Sequence, residues 1–327
     1  MNRRITSKEL ARLAGVSSAT ISRAFTPESK ISDATRSHIL SLAAQHDYQP
    51  NALARSLNNQ RSGLVALVVN AVQNPTEAEQ LQELIVHLQA MALMPIVLCC
   101  GAHEDRLQLM RLASTYQVDH VVVFSDLVTL DDAVSIFRTA RPIIVSSQPL
   151  DSARAAQIAV EGAAAARAII DRAAAQGRRA FGYLGGRASS YIDKKRRQWF
   201  ADALGAHGLG FLAEGHGDYT YDSGYKEAVV MLRQRLDAVI CGNDVMAVGF
   251  RDAAERLMGR KVPDDLGIVG QDGIQIAGWA CHDLTSLALD QKAYVRAILS
   301  LIEEQRAGGD QTPRIVIDCH VRWGATL

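Results

Sequence analysis

The sequence predicts an α/β protein: two Rossmann-like, doubly wound parallel-sheet lobes preceded by a small helix-turn-helix module. Three observations carry that prediction. Residues 6–25 hold two short amphipathic stretches joined at a glycine, each opened by a capping residue. From Leu64 onward, short apolar runs rich in β-branched residues alternate with helical stretches, and the series runs twice. The charge is also divided. Of 35 basic and 35 acidic residues, nine basic but only four acidic ones fall in 1–62, which leaves 26 basic against 31 acidic in the rest. A basic end on an acidic body is the split expected when one end of a chain approaches phosphate.

The N-terminal module follows from its residues in turn. Thr6 and Glu9 have capping-box spacing, so a first helix can start at Ser7. Leu10, Leu13 and Ala14 then share one face. Gly15 ends that helix where a left-handed backbone is needed, and Val16 fills the corner between two crossed helices. Ser17 can cap a second helix whose inner face is Ile21, Ala24 and Phe25, which turns Ser18, Ala19, Ser22 and Arg23 outward. Short polar residues and an arginine on the first turns of a second helix are what major-groove reading requires. Helix pairs of this kind also occur in domains that touch no nucleic acid; the basic excess favours DNA.

A third helix follows and Pro50 stops it. Asn51 can cap the stretch 52–57, which Asn58, Asn59 and Gly63 end. Helices below about 12–15 residues rarely persist alone in water, so this one should form only when docked.

The body reads as alternating strands and helices. Apolar runs at 64–70, 95–100, 120–124 and 142–146 suit parallel strands covered on both faces, with helices at 76–91, 104–116 and 131–139 between them. The pattern restarts with strands at 180–185, 211–215, 237–241 and 266–270 and helices at 161–175, 191–207, 222–232 and 244–257. A helix at 291–306 and a strand at 314–318 close the chain.

Enzyme and metal classes find little support. The first strand ends at Val69-Asn70-Ala71-Val72 without the glycines of a dinucleotide fingerprint, Leu184-Gly185-Gly186-Arg187 fails the spacing, and no P-loop, nucleophile elbow or HExxH occurs. His103-Glu104-Asp105 opens a helix and reads as a cap, so no metal and no cofactor is expected. Five cysteines without metal spacing, mostly near apolar strands, suggest buried reduced thiols and a cytoplasmic location. No apolar segment approaches the roughly 20 residues that span a bilayer, and Met1-Asn-Arg-Arg leads into a polar helix rather than a signal sequence.

A cleft between two such lobes, at the carboxyl ends of their strands, is the default place for a small polar ligand. Asn70, Ser146 and Ser147, Asn243 and Asp244, and Asp272 lie just past strand ends; Arg196 lies near the start of a helix and Tyr219 in a loop before one. An aromatic face, an arginine and acceptor-rich Asn and Asp form a sugar-like recognition set.

The segments AGVSSATISRAF, ISDATRSHIL and YQPNALARSL resemble the headpiece and hinge of lactose-repressor-type (LacI/GalR) transcription regulators. The resemblance implies that Ser18, Ala19 and Arg23 read bases and that Thr6, Ser17, Thr20, Ser32 and Thr35 contact phosphate. It places Asn51, Arg55 and Leu57 in a hinge helix that orders on DNA, with Leu57 wedging into the minor groove. In the body, CGNDVMAVGFRDA, VPDDLGIVGQDGIQIA, RRQWFADAL and GDYTYDSGY are similar to the family's ligand segments. They put Asn243, Asp272, Arg196 and Tyr219 at ligand positions, on a fold like that of periplasmic binding proteins. Three residues depart from the pattern: Trp199 for a glycine, Gln271 for an aromatic, and Thr76 for the aromatic of an N-P-aromatic triplet.

The expected organisation is a headpiece at 1–50, a hinge at 51–62 and an effector-binding and dimerisation domain at 63–327. Its first lobe would comprise 63–159 and 290–319, its second 160–289 and 320–327. The expected function is a repressor of a carbon-utilisation operon. It would bind a palindromic operator as a homodimer, away from any membrane, and respond to a sugar or sugar acid in the cleft at Asn70, Ser147, Arg196, Tyr219, Asn243 and Asp272. A non-sugar corepressor or a protein partner remains an alternative, and either sense of response stays open.

Overall fold

The computed structural model describes residues 5–26, 29–50, 61–101, 105–124, 128–138, 140–145, 154–188, 190–309 and 313–327. The chain divides into two units, Met1–Gly63 and Leu64–Leu327. The hinge residues Asn51, Arg55 and Leu57 lie outside the described residues, as do Ser146, Ser147, His103 and Glu104.

In the first unit each helix among the described residues begins at a side-chain cap. Helix α1 (Ser7–Ala14) starts on the expected capping box: the Thr6 hydroxyl accepts from the Glu9 amide at 3.3 Å while the Glu9 carboxylate accepts from the Thr6 amide at 2.8 Å. Gly15 closes it in the left-handed conformation, φ 65°. Ser17 caps α2 (Ser18–Ala24) and Ser32 caps α3 (Asp33–Gln45). Leu10, Ala11, Ile21, Ala24, Ile39 and Ala43 form the buried core, with Val16, Phe25 and Tyr48 packed on it. Leu13 is not part of this core, contrary to expectation. It is 49% exposed, because α1 turns the arc of Leu10, Ala11 and Ala14 inward and leaves Leu13 on its flank. Phe25 lies just past α2, its ring 5.7 Å from that of Tyr48.

The loop between α2 and α3 is organised by Arg36. Its guanidinium donates to the carbonyls of Ala24 at 2.8 Å and Thr26 at 3.0 Å, and to the carbonyl and hydroxyl of Ser29 at 3.1 and 2.9 Å. One planar fork thus satisfies the open carbonyl end of α2.

In the second unit, β1 (Leu64–Val69), β2 (Met94–Cys99), β3 (His120–Val123), β4 (Pro142–Val145) and β5 (Ala156–Glu161) form one half of a sheet. The other half holds β6 (Phe181–Gly185), β7 (Phe211–His216), β8 (Ala238–Cys241), β9 (Gly267–Asp272) and β10 (Thr285–Leu289). The last strand, β11 (Arg314–Arg322), belongs to both, giving the order β2-β1-β3-β4-β5-β11-β10-β9-β8-β6-β7. Residues 314–318 of β11 pair with β5 in parallel, and residues 319–322 pair with β10 antiparallel. Among the described residues all other pairings are parallel.

Helices cover both faces of each half, which explains the unbroken apolar runs of the strands. In the first half, Leu84 and Leu88 of α4 (Pro75–Ala90) pack with Ile298 and Ile302 of α11 (Gln291–Arg306). On the opposite face, Met110 of α5 (Arg106–Ser114) packs with Ala133 of α6 (Leu130–Ile136). In the second half, Ile169 and Ile170 of α7 (Ala163–Ala175) meet Phe200 and Leu204 of α8 (Tyr191–Gly205). Ala228 and Met231 of α9 (Tyr221–Met231) meet Phe250 of α10 (Asp244–Arg256) across the sheet from them.

Two strands were not anticipated. Strand β5 carries the buried Gln157, and β10 opens on Thr285 and Ser286, both fully buried; polar residues in these positions read as loop until their partners are known. The Thr285 hydroxyl donates to the Gly324 carbonyl at 3.0 Å, and the Ser286 hydroxyl to Asp244 at 2.7 Å. Strand β11 runs four residues past its expected end, because its second half has a new partner in β10. The cysteines are all free thiols, but they are not uniformly buried: Cys100 and Cys241 are buried, Cys99 and Cys319 half-buried and Cys281 exposed, on the loop before β10. Among the described residues no helix is long and apolar enough to cross a membrane.

Replacing Arg36 with alanine should leave several loop carbonyls without their donor and lower headpiece stability by about 1–3 kcal/mol. Calorimetry of the full chain checks this: the headpiece transition is expected to move down in temperature while that of the body stays in place.

Candidate functional site

Two surfaces carry chemistry. On the headpiece, α2 turns Ile21 and Ala24 into the core and leaves Ser18, Ala19, Ser22 and Arg23 exposed. The Arg23 side chain has no ion-pair partner among the described residues, so its charge is available. Thr6, Ser17 and Ser32 are the caps of three helices, and the hydroxyls of Thr20 and Thr35 lie 2.9 and 2.8 Å from those of Ser17 and Ser32. All five therefore sit at helix N-termini, where amides and the helix dipole favour an anion.

The second surface is a cavity of about 500 Å³ at the carboxyl ends of the strands. Asn70, Arg196, Tyr219 and Asp272 line it, as the sequence suggested; Asn243 does not. Phe124, Ile158, Leu287 and Tyr294 supply an apolar wall.

Asp272 ends β9 with φ 106°, a conformation that disfavours a side chain and that Gly273 continues at φ 74°. Its two carboxylate oxygens are held from different halves of the body. Arg196 of α8 donates to Oδ1 at 2.5 Å, and the hydroxyl of Thr76, on the first turn of α4, donates to Oδ2 at 3.0 Å. A second link lies nearby, where the Gln275 amide donates to Glu79 of α4 at 3.2 Å. The other Arg196 amino group donates to the Gly242 carbonyl at 3.0 Å. Burial works against the Arg196 charge, but Asp272 more than offsets it and holds the guanidinium above its ordinary pKa.

The strained backbone at Asp272 is held by Asp244. This fully buried carboxylate accepts from the amides of Gly273 and Ile274 at 2.7 and 2.9 Å, and from the Ser286 hydroxyl at 2.7 Å. Its neighbour Asn243 caps α10, accepting from the Met246 amide at 2.8 Å, and donates its NH2 to the Tyr219 carbonyl at 3.1 Å. Asn243 thus positions Tyr219, whose own φ is 71°. The Tyr219 ring lies against Gly186, where an added Cβ would come within 2.0 Å of it. Glycine is required there by contact rather than by backbone angle.

Of the three departures from the family pattern, only Thr76 reaches the cavity. Trp199 lies over Gly162, where an added Cβ would meet the indole at 2.6 Å, so its bulk goes into the packing of α7 and α8. Gln271 is buried behind the site and donates to the Cys241 carbonyl at 3.1 Å. Sequence reasoning missed Thr76 as a partner of Asp272, Asp244 as its anchor, and Arg187, which lines the cavity just past the glycine pair ending β6. An arginine two residues past a strand end was a signal available for the last.

A headpiece of this geometry, joined to a two-half α/β body with a cleft at the strand ends, defines a helix-turn-helix transcription regulator. A model of bacterial regulatory proteins of the lacI family matches residues 6–51, and one of the periplasmic binding protein-like domain matches residues 170–327. The chain is 26% identical over 311 residues to the HTH-type transcriptional repressor CytR of Escherichia coli (strain K12), covering 93% of this chain and 90% of that protein. Its fold is similar to that of a lac repressor dimer crystallised with operator and the anti-inducer ONPF, with a TM-score of 0.87 at 20% identity over 99% of both chains. A transcriptional regulator CelR–cellobiose complex is similar at a TM-score of 0.72 and 22% identity, over 99% of this chain and 100% of that one. The chain thus carries a lacI-family DNA-binding segment and a periplasmic binding protein-like segment, and is similar over most of its length to a transcriptional repressor.

Burial, and secondly the charge of Asp272, push the Asp244 carboxyl up from 3.8 to about 7, against the pull of Ser286 and the amides of Ile274 and Gly273. The folded chain therefore holds this proton longer than the unfolded one, and stability is lost as the pH rises across that interval. Denaturant titrations of the body between these pH values should show a falling midpoint. In Asp244→Asn the amide oxygen can accept from both backbone amides and the NH2 can donate to Ser286, so the same series should be flat.

Proposed function

We propose that this chain represses a carbon-utilisation operon, binding a palindromic operator as a homodimer and releasing or gripping it in response to a sugar-like ligand at Asp272. The observation that carries the reading is that Asp272 takes one hydrogen-bond donor from each half of the body. A ligand hydroxyl that claims this carboxylate must displace Thr76 or draw it closer, and either outcome biases the angle between the halves. The halves in question are 63–159 with 290–319, and 160–289 with 320–327. Their angle sets the spacing of two hinges, 51–62 in each protomer, and with it the ability of Asn51, Arg55 and Leu57 to fold onto DNA.

In this reading Ser18, Ala19, Ser22 and Arg23 face base edges, and Thr6, Ser17, Thr20, Ser32 and Thr35 face phosphate. Asn70, Ser147, Arg196 and Tyr219 join Asp272 around the ligand, with Asn243 acting through Tyr219. The relatives support it: one is a named repressor, one fold neighbour was crystallised with operator, another with cellobiose. The proposed activity is regulation in the cytoplasm rather than turnover, and operator binding by the purified chain, with and without candidate sugars, is its direct test.

Arg23→Ala should remove a base contact worth roughly 1–3 kcal/mol and flatten preference at one position per half-site. Binding-site selection with the variant measures this; a preference unchanged at every position would make Arg23 a phosphate or solvent residue. In the cleft, Asp272→Asn and Arg196→Ala should each weaken ligand binding about tenfold to a hundredfold. The operator should stay occupied but become unresponsive. Calorimetry decides between the outcomes, since unaltered affinity in both variants would move the ligand elsewhere.

A further inference from the structure

Arg187 is an arginine without a carboxylate. It follows the Gly185-Gly186 pair at the end of β6 and lines the cavity, with its guanidinium 5.5 Å from the centre of the Tyr219 ring. No acidic side chain lies within ion-pair distance of it among the described residues. Its Nε is buried and has no hydrogen-bond partner, and the same is true of the Nε of Arg196. Two cavity arginines thus each carry a buried donor that no protein group uses.

Among the described residues none of the cavity's three acids, Glu77, Asp131 and Asp272, pairs with Arg187. Of the cavity's acids, Asp272 is already neutralised by Arg196. Glu77 accepts from the backbone amides of Asn70 and Ala71 at 3.0 and 3.2 Å. Asp131 is exposed on the first turn of α6. The N-terminal turn of the 15-residue helix α8 also opens here, through Ser190, Tyr191 and Ile192. Asp193 stands in the same turn and accepts from the Gly186 amide at 3.1 Å, so the positive field there is that of the arginines. Against the apolar wall on the other side, such a field is screened little by water.

From this geometry we infer that the cleft ligand is an anion, whose carboxylate or phosphate is received by Arg187 and Arg196 while Asp272 takes a hydroxyl. Arg187 is the residue that separates an acid from its neutral parent. This rests on the regulator reading and narrows the ligand class of the same cavity.

The test uses the full chain and a panel of hexoses, each paired with its uronic acid, aldonic acid and 6-phosphate, read by thermal shift and then calorimetry. At least one acid or phosphate should stabilise the body where its neutral parent does not, with the carboxylate and phosphate arms showing which oxyanion fits. That advantage should weaken as ionic strength rises. Arg187→Ala, or Arg187→Gln if the alanine variant folds poorly, should lower the affinity of the anionic member by about tenfold to a hundredfold and leave that of the neutral parent unchanged. Equal binding of acid and parent, an advantage that survives both variants, or no response to any anion in the panel would overturn the inference. Operator binding is scored separately. Its absence in the unaltered chain would defeat the regulator reading, whereas a neutral sugar that alters operator occupancy would defeat only the anion.

Discussion

The Asp272 carboxylate is the point on which the body depends. It ends a strand in a backbone conformation that costs roughly 1–3 kcal/mol, and its charge lies in a partly buried cleft. Neither would persist without the groups around it. Asp244 ties down the two following amides, Arg196 meets the charge, and Thr76 takes the remaining oxygen from the other half. Breaking one partner of such a group leaves the others uncompensated, so the cluster behaves as a unit. Because its members come from α4, α8, α10 and β9, anything that rearranges one oxygen is felt in both halves.

The way the halves are joined gives that rearrangement somewhere to go. Strand β11 pairs with β5 over its first five residues and with β10 over the next four, so a continuous strand passes from one half to the other. The chain also crosses between the halves after β5 and after β10, and polar contacts such as those from Thr76, the Gln275 amide and Lys195 with Glu161 join them. A covalently continuous strand beside a few polar contacts is an arrangement in which relative rotation costs little compared with disruption of either core. The headpiece shows the opposite economy. Its short helices are held by caps at Thr6, Ser17 and Ser32 and by the Arg36 fork, leaving Ser18, Ala19, Ser22 and Arg23 of α2 exposed.

The departures from the family pattern show how one substitution is absorbed by another position. Trp199 is accommodated because residue 162 has no side chain, and Gln271 because the Cys241 carbonyl receives its amide. Thr76 is different: it exchanges an aromatic surface for a hydroxyl that reaches Asp272, so the chemistry of the cleft itself has changed. With Arg187 beside Tyr219, this cleft presents more hydrogen-bonding and positive character than its apolar wall alone would suggest.

Much of this was determined by the sequence. The capping box, the glycine turn, the outward row of α2 and the strand–helix alternation are local, since each depends on neighbours within a few residues. Asn70, Arg196, Tyr219 and Asp272 were also recognisable, because strand ends and motif spacing place them at the cleft. What only the tertiary structure decided are the pairings across long stretches of chain: Thr76 with Asp272, Asp244 with Ser286, Trp199 with Gly162, and the second half of β11 with β10. Strands β5 and β10 escaped notice for the same reason. Their polar residues are favourable in a core only because distant partners satisfy them, and a polar side chain carries no local sign of whether such a partner exists.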